Sequence, residues 1–130
     1  MNSNMKNTTS IGRYGEDLAC EYLKKQKYKI LEKNFYASHN EIDIIAENKQ
    51  YIIFVEVKTR SCLPNSDFSF GTPASAVTYS KQKRTLTAAQ AYLLEHPTKK
   101  APRLDVIEIY LDKDDKSLIK INHIEDAFGN

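Results

Sequence analysis

The stretch YIIFVEVK, residues 51–58, decides the fold, because it is an apolar strand that ends in two charged side chains. Side chains alternate between the two faces of a strand, so Phe54, Glu56 and Lys58 share one face. The residues between them share the opposite, apolar face. This pattern predicts a strand of a buried sheet whose charged end carries the chemistry of the protein.

A second strand is predicted from the run EIDIIAE, residues 41–47. The polar residues 48–50 are typical of a turn, so the two strands are expected to form an antiparallel hairpin. An even number of loop residues places Asp43 on the face that holds Glu56 and Lys58. An odd loop or a bulge separates them.

Like charges on neighbouring strands repel each other. Asp43 and Glu56 would lie roughly 5 to 8 Å apart on a shared face, and burial of either carboxylate is unfavourable without a positive partner. Lys58 supplies one positive charge, and Mg²⁺ would supply the rest, because it binds one or two carboxylates and keeps water in its other positions. The alternative is an ordinary salt bridge between Lys58 and one acid, with the second acid in solvent.

Length and composition indicate one globular domain. The chain has 130 residues, of which 41% are hydrophobic and 28% charged, and its net charge of +2 permits nucleic-acid binding if the basic residues cluster. We expect a flexible segment at residues 1–9 and a single domain at residues 10–130. Cys20 and Cys62 form no zinc or redox motif, and no run reaches membrane-spanning length. A reduced protein of the cytoplasm is therefore expected.

The first predicted helix covers residues 10–26, with Ser10 as its N-cap. Its inward stripe is predicted from residues three and four apart, widened by small neighbours: Ile11, Tyr14, Leu18, Tyr22, Gly15, Ala19 and Leu23. Glu16 borders this stripe. It is either a solvated acid or, if the helix packs over the acidic face, a member of the site.

The second predicted helix covers residues 78–96, and three of its residues are expected to face inward: Leu86, Ala89 and Leu93. The remaining predicted elements are strands 28–34, 103–111 and 118–122, loops 36–40 and 59–72, and helical turns 73–77 and 124–128. Phe68 and Phe70 in the longer loop either stack on bases or cover the core. The order of helix, three strands, helix and two strands predicts an α/β fold with a mixed central sheet flanked by helices.

Lys81, Lys83 and Arg84 lie in the first turns of the second predicted helix, where the helix dipole disfavours positive charge. A bound phosphate would resolve this conflict. The alternative is a solvated surface on which the charges are screened.

These residues together resemble the PD-(D/E)XK nuclease superfamily. Over residues 12–109 the chain is similar to the YraN-like family of small bacterial proteins, and the resemblance extends to archaeal Holliday-junction resolvases. The matching positions are Gly12, Gly15, Glu16, residues 41–43, residues 54–58, Arg60, Gly71, Pro73, Lys81, Arg103 and Asp105. The family usually has glycine where this chain has Asn40, a residue that tolerates left-handed backbone.

The resemblance implies a restriction-endonuclease-like core and a metal site. It implies that Asp43, Glu56 and the Val57 carbonyl hold Mg²⁺, with Mn²⁺ as a substitute. Lys58 would orient or help activate the attacking water. Glu16 would approach from the helix, as an acid that lies next to the metal-bound water or on the side of the base. Cleavage would leave a 5′-phosphate.

The first hypothesis is therefore a metal-dependent endonuclease of branched or distorted DNA, since no base-reading element stands out. Its phosphate contacts would be Arg60, Lys81, Lys83 and Arg84. DNA is expected ahead of RNA, no membrane is involved, and a homodimer is an open alternative. The second hypothesis is a nucleic-acid-binding module of a recombination, repair or DNA-uptake assembly with weak or no cleavage. The third is an interaction domain whose acidic face is an ion-pair network.

Overall fold

Seven helices and strands follow one another in the predicted order. A computed structural model describes residues 3–62 and 79–127, with side chains from residue 10 onward. Its elements are α1 Ser3–Lys25, β1 Lys29–Ala37, β2 Asn40–Glu47, β3 Tyr51–Cys62, α2 Tyr79–Glu95, β4 Ala101–Asp112 and β5 Leu118–Ile124. None of the described helices is long and apolar enough to cross a membrane.

The five strands form one mixed sheet in the order β1-β2-β3-β4-β5. β3 and β4 run parallel from Tyr51↔Ala101 to Cys62↔Asp112, and the other neighbouring strands are antiparallel. Two parallel strands need a long crossover connection, and α2 lies in it. The predicted mixed sheet flanked by helices is confirmed.

The two helices cover opposite faces of the sheet. Ile53 and Val55 of β3 pack in a buried cluster with α1, whereas Ile52 and Phe54 pack in a second cluster with α2. Alternating residues of one strand thus belong to different cores. This burial on both faces explains why residues 51–55 are apolar without interruption.

The start of α1 differs from the prediction. The helix begins at Ser3, so the assignment of Ser10 as its N-cap is wrong. Residues 3–9 include neither glycine nor proline, and nothing in them ends a helix before Ser10.

The buried stripe of α1 is centred on small residues. Gly15, Ala19 and Leu23 are buried, whereas Tyr14, which was predicted to face inward, is 40% exposed. A stripe of small residues lets the helix backbone lie close to the sheet, and the larger side chains then flank the contact.

The same rule corrects the predicted face of α2. Ala89 is buried as expected, but Leu86 is 44% exposed and Thr85 faces the sheet instead. Tyr92 is the large anchor of this face, with its ring edge-on to the rings of Phe35 and Phe54 at centroid distances of 5.2 and 6.1 Å. This ring therefore joins α2 to both β1 and β3.

β3 is longer than predicted, because residues 59–62 continue the parallel pairing with β4 as far as Cys62. The predicted loop 59–72 is therefore wrong at its first four positions. Phe68, Phe70 and the predicted turn 73–77 lie outside the described residues.

The turn between β1 and β2 is also shorter than the predicted loop 36–40. Ser38 and His39 alone form it, with φ of 53° and 63°, the left-handed values of a two-residue hairpin turn. Asn40 already belongs to β2, and its side-chain amide donates to the Ser38 carbonyl at 2.8 Å. The backbone of Asn40 is therefore not left-handed, and the turn forms without glycine at this position.

Candidate active site

The pairing of β2 with β3 brings Asp43 and Glu56 to the same point of the sheet. Odd positions of β2 pair with even positions of β3, and the reverse, as expected for an even loop. The last paired residues are Ile44 and Val55, so Asp43 and Glu56 are the next residues on each strand.

The two strands separate at this point, and the Asp43 side chain occupies the fork between them. Its Oδ2 accepts a hydrogen bond of 2.7 Å from the Val57 backbone N–H. A side-chain carboxylate thus replaces the backbone carbonyl that would continue the ladder. This bond fixes the orientation of Asp43.

The surroundings of Asp43 favour its neutral form. Burial raises the pKa of Asp43 to about 7, and the negative charge of Glu56 is the second cause of this rise. The Val57 hydrogen bond acts in the opposite direction, and the charges of Glu16 and Glu41 add smaller increases. The fold therefore brings Glu16 and Glu56 within electrostatic reach of Asp43.

Glu56 is contacted by two lysines. Lys58 Nζ lies 3.3 Å from Oε2, and Lys81 Nζ, from the first turn of α2, lies 3.3 Å from Oε1. All three side chains are partly buried. The positive charge at the start of α2 is thus balanced, within the described structure, by an acid of the sheet.

Glu16 reaches this region from α1. With its amide nitrogen turned towards the two acids, Asn34 donates to Glu16 Oε1 and to Glu41 Oε2, each at 3.2 Å. Burial raises the pKa of Glu16, the Asn34 hydrogen bond lowers it, and the charge of Glu41 raises it again. α1 comes this close because Gly15 has no side chain: a Cβ there would lie 2.0 Å from Thr59 Oγ1.

Lys83 and Arg84 are not brought to the carboxylates. Both are exposed on α2. Lys83 Nζ lies 5.4 Å from the centroid of the Tyr79 ring, and Arg84 Nη1 donates to Ser80 Oγ at 2.7 Å. Their contacts are with the first turn of their own helix.

Arg60 pairs with a residue that the sequence analysis did not single out. Its Nε donates to Oε2 of Glu108 at 3.1 Å, and the Tyr110 hydroxyl donates to the other oxygen of Glu108. Burial and the Glu108 carboxylate raise the pKa of Tyr110 to about 12. The available signal was the position of Glu108 between Ile107 and Ile109, where an acid interrupts an otherwise apolar strand.

A second polar cluster, centred on Asp105, joins β4 to β5 and α1. Asp105 accepts two hydrogen bonds from Arg103 and one from the Asp126 N–H, each of 2.9 Å, and it lies 2.8 Å from His123 Nε2. His123 Nδ1 lies 2.9 Å from the Tyr22 hydroxyl. Burial alone would raise the pKa of Asp105, but these hydrogen bonds leave it below the ordinary value. This cluster holds the fold together.

The expected metal depends on the side chains present at the strand fork. Among residues 10–62 and 79–127, no group of three or more His, Cys, Asp or Glu side chains is arranged to hold a metal ion. The predicted donor set is smaller, namely two carboxylates and the Val57 carbonyl, and it consists of the hard oxygen donors that Mg²⁺ prefers. Asp43 and Glu56 fit this role, provided that Lys58 or Lys81 moves from Glu56.

Fold and site together define a class of protein: a five-stranded mixed sheet between two helices, with an acidic pair and lysines at a strand fork. The chain belongs to the uncharacterised protein family UPF0102, whose model matches residues 15–109. The family-level resemblance to YraN-like proteins is thereby confirmed.

Relatives of similar length occur in several bacteria. A UPF0102 protein of Caldanaerobacter subterraneus subsp. tengcongensis is 45% identical over 123 residues, covering 94% of this chain and 97% of the relative. One of Clostridium perfringens is 47% identical over 126 residues, covering 95% and 97%. One of Chloroherpeton thalassium is 40% identical over 130 residues, with the same coverage.

Proposed function

We propose that this protein is a Mg²⁺-dependent endonuclease that hydrolyses phosphodiester bonds in DNA, with the restriction-endonuclease-like core of the PD-(D/E)XK superfamily. The observation that carries the proposal is the acidic pair at the fork of β2 and β3. Asp43 and Glu56 are close enough that the charge of one contributes to raising the pKa of the other to about 7. Acids held together against their repulsion are typical of a functional site that binds a cation.

Asp43, Glu56 and the Val57 carbonyl would hold Mg²⁺, or Mn²⁺ in its place. When bound, the ion supplies Lewis-acid neutralisation of charge at the reacting phosphate. The hydrogen bond from the Val57 N–H engages Oδ2 of Asp43, so Oδ1 is the oxygen left for a ligand. Asp43 is thus held in place before any ligand arrives, which lowers the cost of ordering the site.

The lysines and Glu16 would act on the substrate and on the water. Lys58 would hold the attacking water or a non-bridging phosphate oxygen. Lys81 would turn from Glu56 to a neighbouring phosphate once Glu56 has another positive partner. Glu16, whose pKa burial raises, would accept a proton from the attacking water.

DNA is the proposed substrate ahead of RNA, and branched or distorted DNA ahead of a regular duplex. The site would contact phosphates and respond to the shape of the DNA backbone. Such contacts do not read the base edges directly. The proposal places the protein in the cytoplasm. Cleavage of both strands by one site per copy would require two copies acting together.

A nicking assay on supercoiled plasmid, with Mg²⁺ or Mn²⁺ against EDTA, tests the proposal. Asp43→Asn and Glu56→Gln should each abolish metal-dependent nicking and leave DNA binding intact or stronger, because a negative charge facing phosphate is removed. Lys58→Ala should slow cleavage by about 10²-fold or more. Lys49→Ala, in the turn at the opposite end of the hairpin, is the control and should cleave normally. Undiminished nicking by both acid variants would reject this site.

The second candidate is a nucleic-acid-binding module of a recombination, repair or DNA-uptake assembly, without cleavage. The observation that favours it is the pairing of both Glu56 oxygens with lysines, which balances the charge of Glu56 without a metal. A panel of linear, nicked, flap and four-way DNA at one salt concentration separates the two functions. Salt-dependent binding without nicking on any of them would favour the module.

A further inference from the structure

Glu108 and Tyr110 lie beside the end of β3 that carries the basic side chains of the site. In the parallel pairing of β3 with β4, Lys58 is opposite Glu108 and Arg60 is opposite Tyr110. Glu108 is 2% exposed although it is an acid. A buried ion pair contributes no more stability than apolar side chains of similar size. A buried acid at this position therefore calls for an explanation other than stability.

The contacts of Arg60 suggest that explanation. Glu108 engages the guanidinium group at Nε, with an N–O distance of 3.1 Å. Within the described part of the chain, Nη1 and Nη2 of Arg60 donate no hydrogen bond, and the Arg60 side chain is 40% exposed. The Tyr110 hydroxyl holds the other oxygen of Glu108, so the carboxylate is fixed from two sides.

We propose that Glu108, fixed by Tyr110, is a positioning residue that directs the two terminal nitrogens of Arg60 towards a phosphate of the bound nucleic acid. A guanidinium group gripped at Nε presents Nη1 and Nη2 as a fork, the geometry that binds phosphate bidentately. Lys58 and Arg60 lie on the same face of β3, two residues or about 6 to 7 Å apart. This spacing is close to that of successive phosphates, so Arg60 binds the phosphate next to the one at Lys58. The inference rests on the proposed binding of nucleic acid at this face.

The test uses the sign of a change in DNA affinity. Glu108→Gln removes a negative charge, so diffuse electrostatics alone would tighten binding of a fluorescent DNA. Loss of positioning weakens it instead, and we expect the affinity to fall about three- to tenfold at fixed salt. Glu47→Gln is the matched control, since it removes a partly buried acid that pairs with Lys100 at 3.0 Å near the β2–β3 turn. That variant should bind as tightly as the wild type or slightly more tightly.

A double-mutant cycle distinguishes positioning from a structural role. Arg60→Gln should weaken binding and lower the slope of log affinity against log salt by about one unit. Because Glu108 acts through Arg60, Glu108→Gln should cause no further loss when combined with Arg60→Gln. Tyr110→Phe removes only a hydroxyl, and we expect a smaller loss of affinity, about two- to threefold. The DNA affinity of Tyr110→Phe tests the same positioning if the Glu108→Gln variant unfolds below the assay temperature.

Two results would overturn the inference separately from the proposed function. Wild-type or tighter binding by Glu108→Gln and Tyr110→Phe, together with weak binding by Arg60→Gln, would show that Arg60 binds phosphate without being positioned. If Glu108→Gln lowers the DNA affinity equally in the wild type and in the Arg60→Gln variant, Glu108 has a structural role. Absence of salt-dependent DNA binding by the wild type would reject the proposed function, and this inference with it.

Discussion

At the scale of single residues, Asp43 couples the site to stability. Its ordinary pKa is 3.8, and in the folded protein it is about 7. Between these two pH values the folded state holds a proton that the unfolded state has lost, so stability falls as the pH rises. Below pH 3.8 Asp43 is protonated in both the folded and the unfolded state. Above about pH 7 the loss of stability is complete.

Asp43→Asn should remove this loss, because an amide has no charge and its oxygen can still accept the Val57 N–H. We expect the metal-free variant to be more stable than the wild type by about 1 kcal/mol or more near pH 8, with a smaller gain near pH 5. Urea unfolding at both pH values measures it. Asp17→Asn is the control, since Asp17 is exposed and pairs with Lys33 at the surface. Equal gains at both pH values would contradict the assigned environment of Asp43.

Lys81 is the second residue whose replacement gives a clear expectation. Because it contacts Glu56 at 3.3 Å, it competes with any cation for that carboxylate. Lys81→Ala should therefore bind Mn²⁺ about three- to tenfold more tightly than the wild type, as measured by calorimetry. Lys83→Ala, which removes an exposed charge from the same helix, should leave the affinity nearly unchanged. Equal effects of the two variants would show that only the net charge matters.

At the scale of elements, the approach of α1 to β3 positions Glu16. At Gly15 the helix backbone packs directly against the side chain of Thr59, with no room for a Cβ between them. Glu16 follows directly in sequence, so its reach towards Asn34 depends on this spacing. A small residue in the helix therefore controls where an acid of the site lies.

Alanine substitutions at Gly12 and Gly15, three residues apart, should have opposite effects on stability. Gly15→Ala should destabilise the protein by about 1 to 3 kcal/mol, since its Cβ would lie 2.0 Å from Thr59 Oγ1. Gly12→Ala meets nothing within 4 Å and should stabilise the helix by about 0.5 to 1 kcal/mol. Thermal melts of both variants provide the comparison. A stabilising Gly15→Ala would mean that α1 is not in close contact with β3.

The hairpin was predictable from sequence because alternation and an even loop leave one register for Asp43 and Glu56. The face of α2 was not, because Thr85 and Leu86 are neighbours and the choice between them depends on where Tyr92 meets Phe35 and Phe54. Such a contact joins three elements, and local periodicity contains no information about it.

The partners of charged residues were equally non-local. Lys81 was correctly identified as lying in the first turn of a helix, but its contact with Glu56 depends on how α2 crosses the sheet. The pairing of Arg60 with Glu108 depends on the parallel register of β3 and β4. Sequence therefore indicated several charged residues of the site but not Glu108, and the topology decided which of them meet.

At the scale of the whole molecule, the two polar clusters have different electrostatic requirements. The Asp105 cluster gives its buried acid hydrogen bonds from Arg103, His123 and the Asp126 N–H, and the pKa of Asp105 falls below 3.8. The strand fork leaves Asp43 with a raised pKa. Within the described residues, the acid of the Asp105 cluster is stabilised by its own neighbours, whereas the strand fork would be stabilised by the cation proposed above.

Asp105→Ala should therefore be among the most destabilising single substitutions, at about 3 to 5 kcal/mol, because it leaves Arg103 buried without its main partner. Since the pKa of Asp105 is lowered, its contribution is present above pH 3.8 and is lost as the pH falls below that value. Glu125→Ala is the control, because Glu125 is exposed and lies 3.8 Å from Arg103. Urea unfolding at neutral pH measures both. A loss below about 1 kcal/mol for Asp105→Ala would contradict this structural role.

The parallel pairing of β3 with β4 also sets an order of assembly in time. The hairpin of β2 and β3 closes through a short turn, whereas β4 reaches β3 only after the chain that contains α2 has been spanned. During synthesis Asp43 and Glu56 therefore leave the ribosome before Lys81 and Glu108 do, and one edge of β3 is at first without its partner strand. Substitutions that slow the docking of α2 will lower the yield of folded protein in cells, even where the purified protein functions normally.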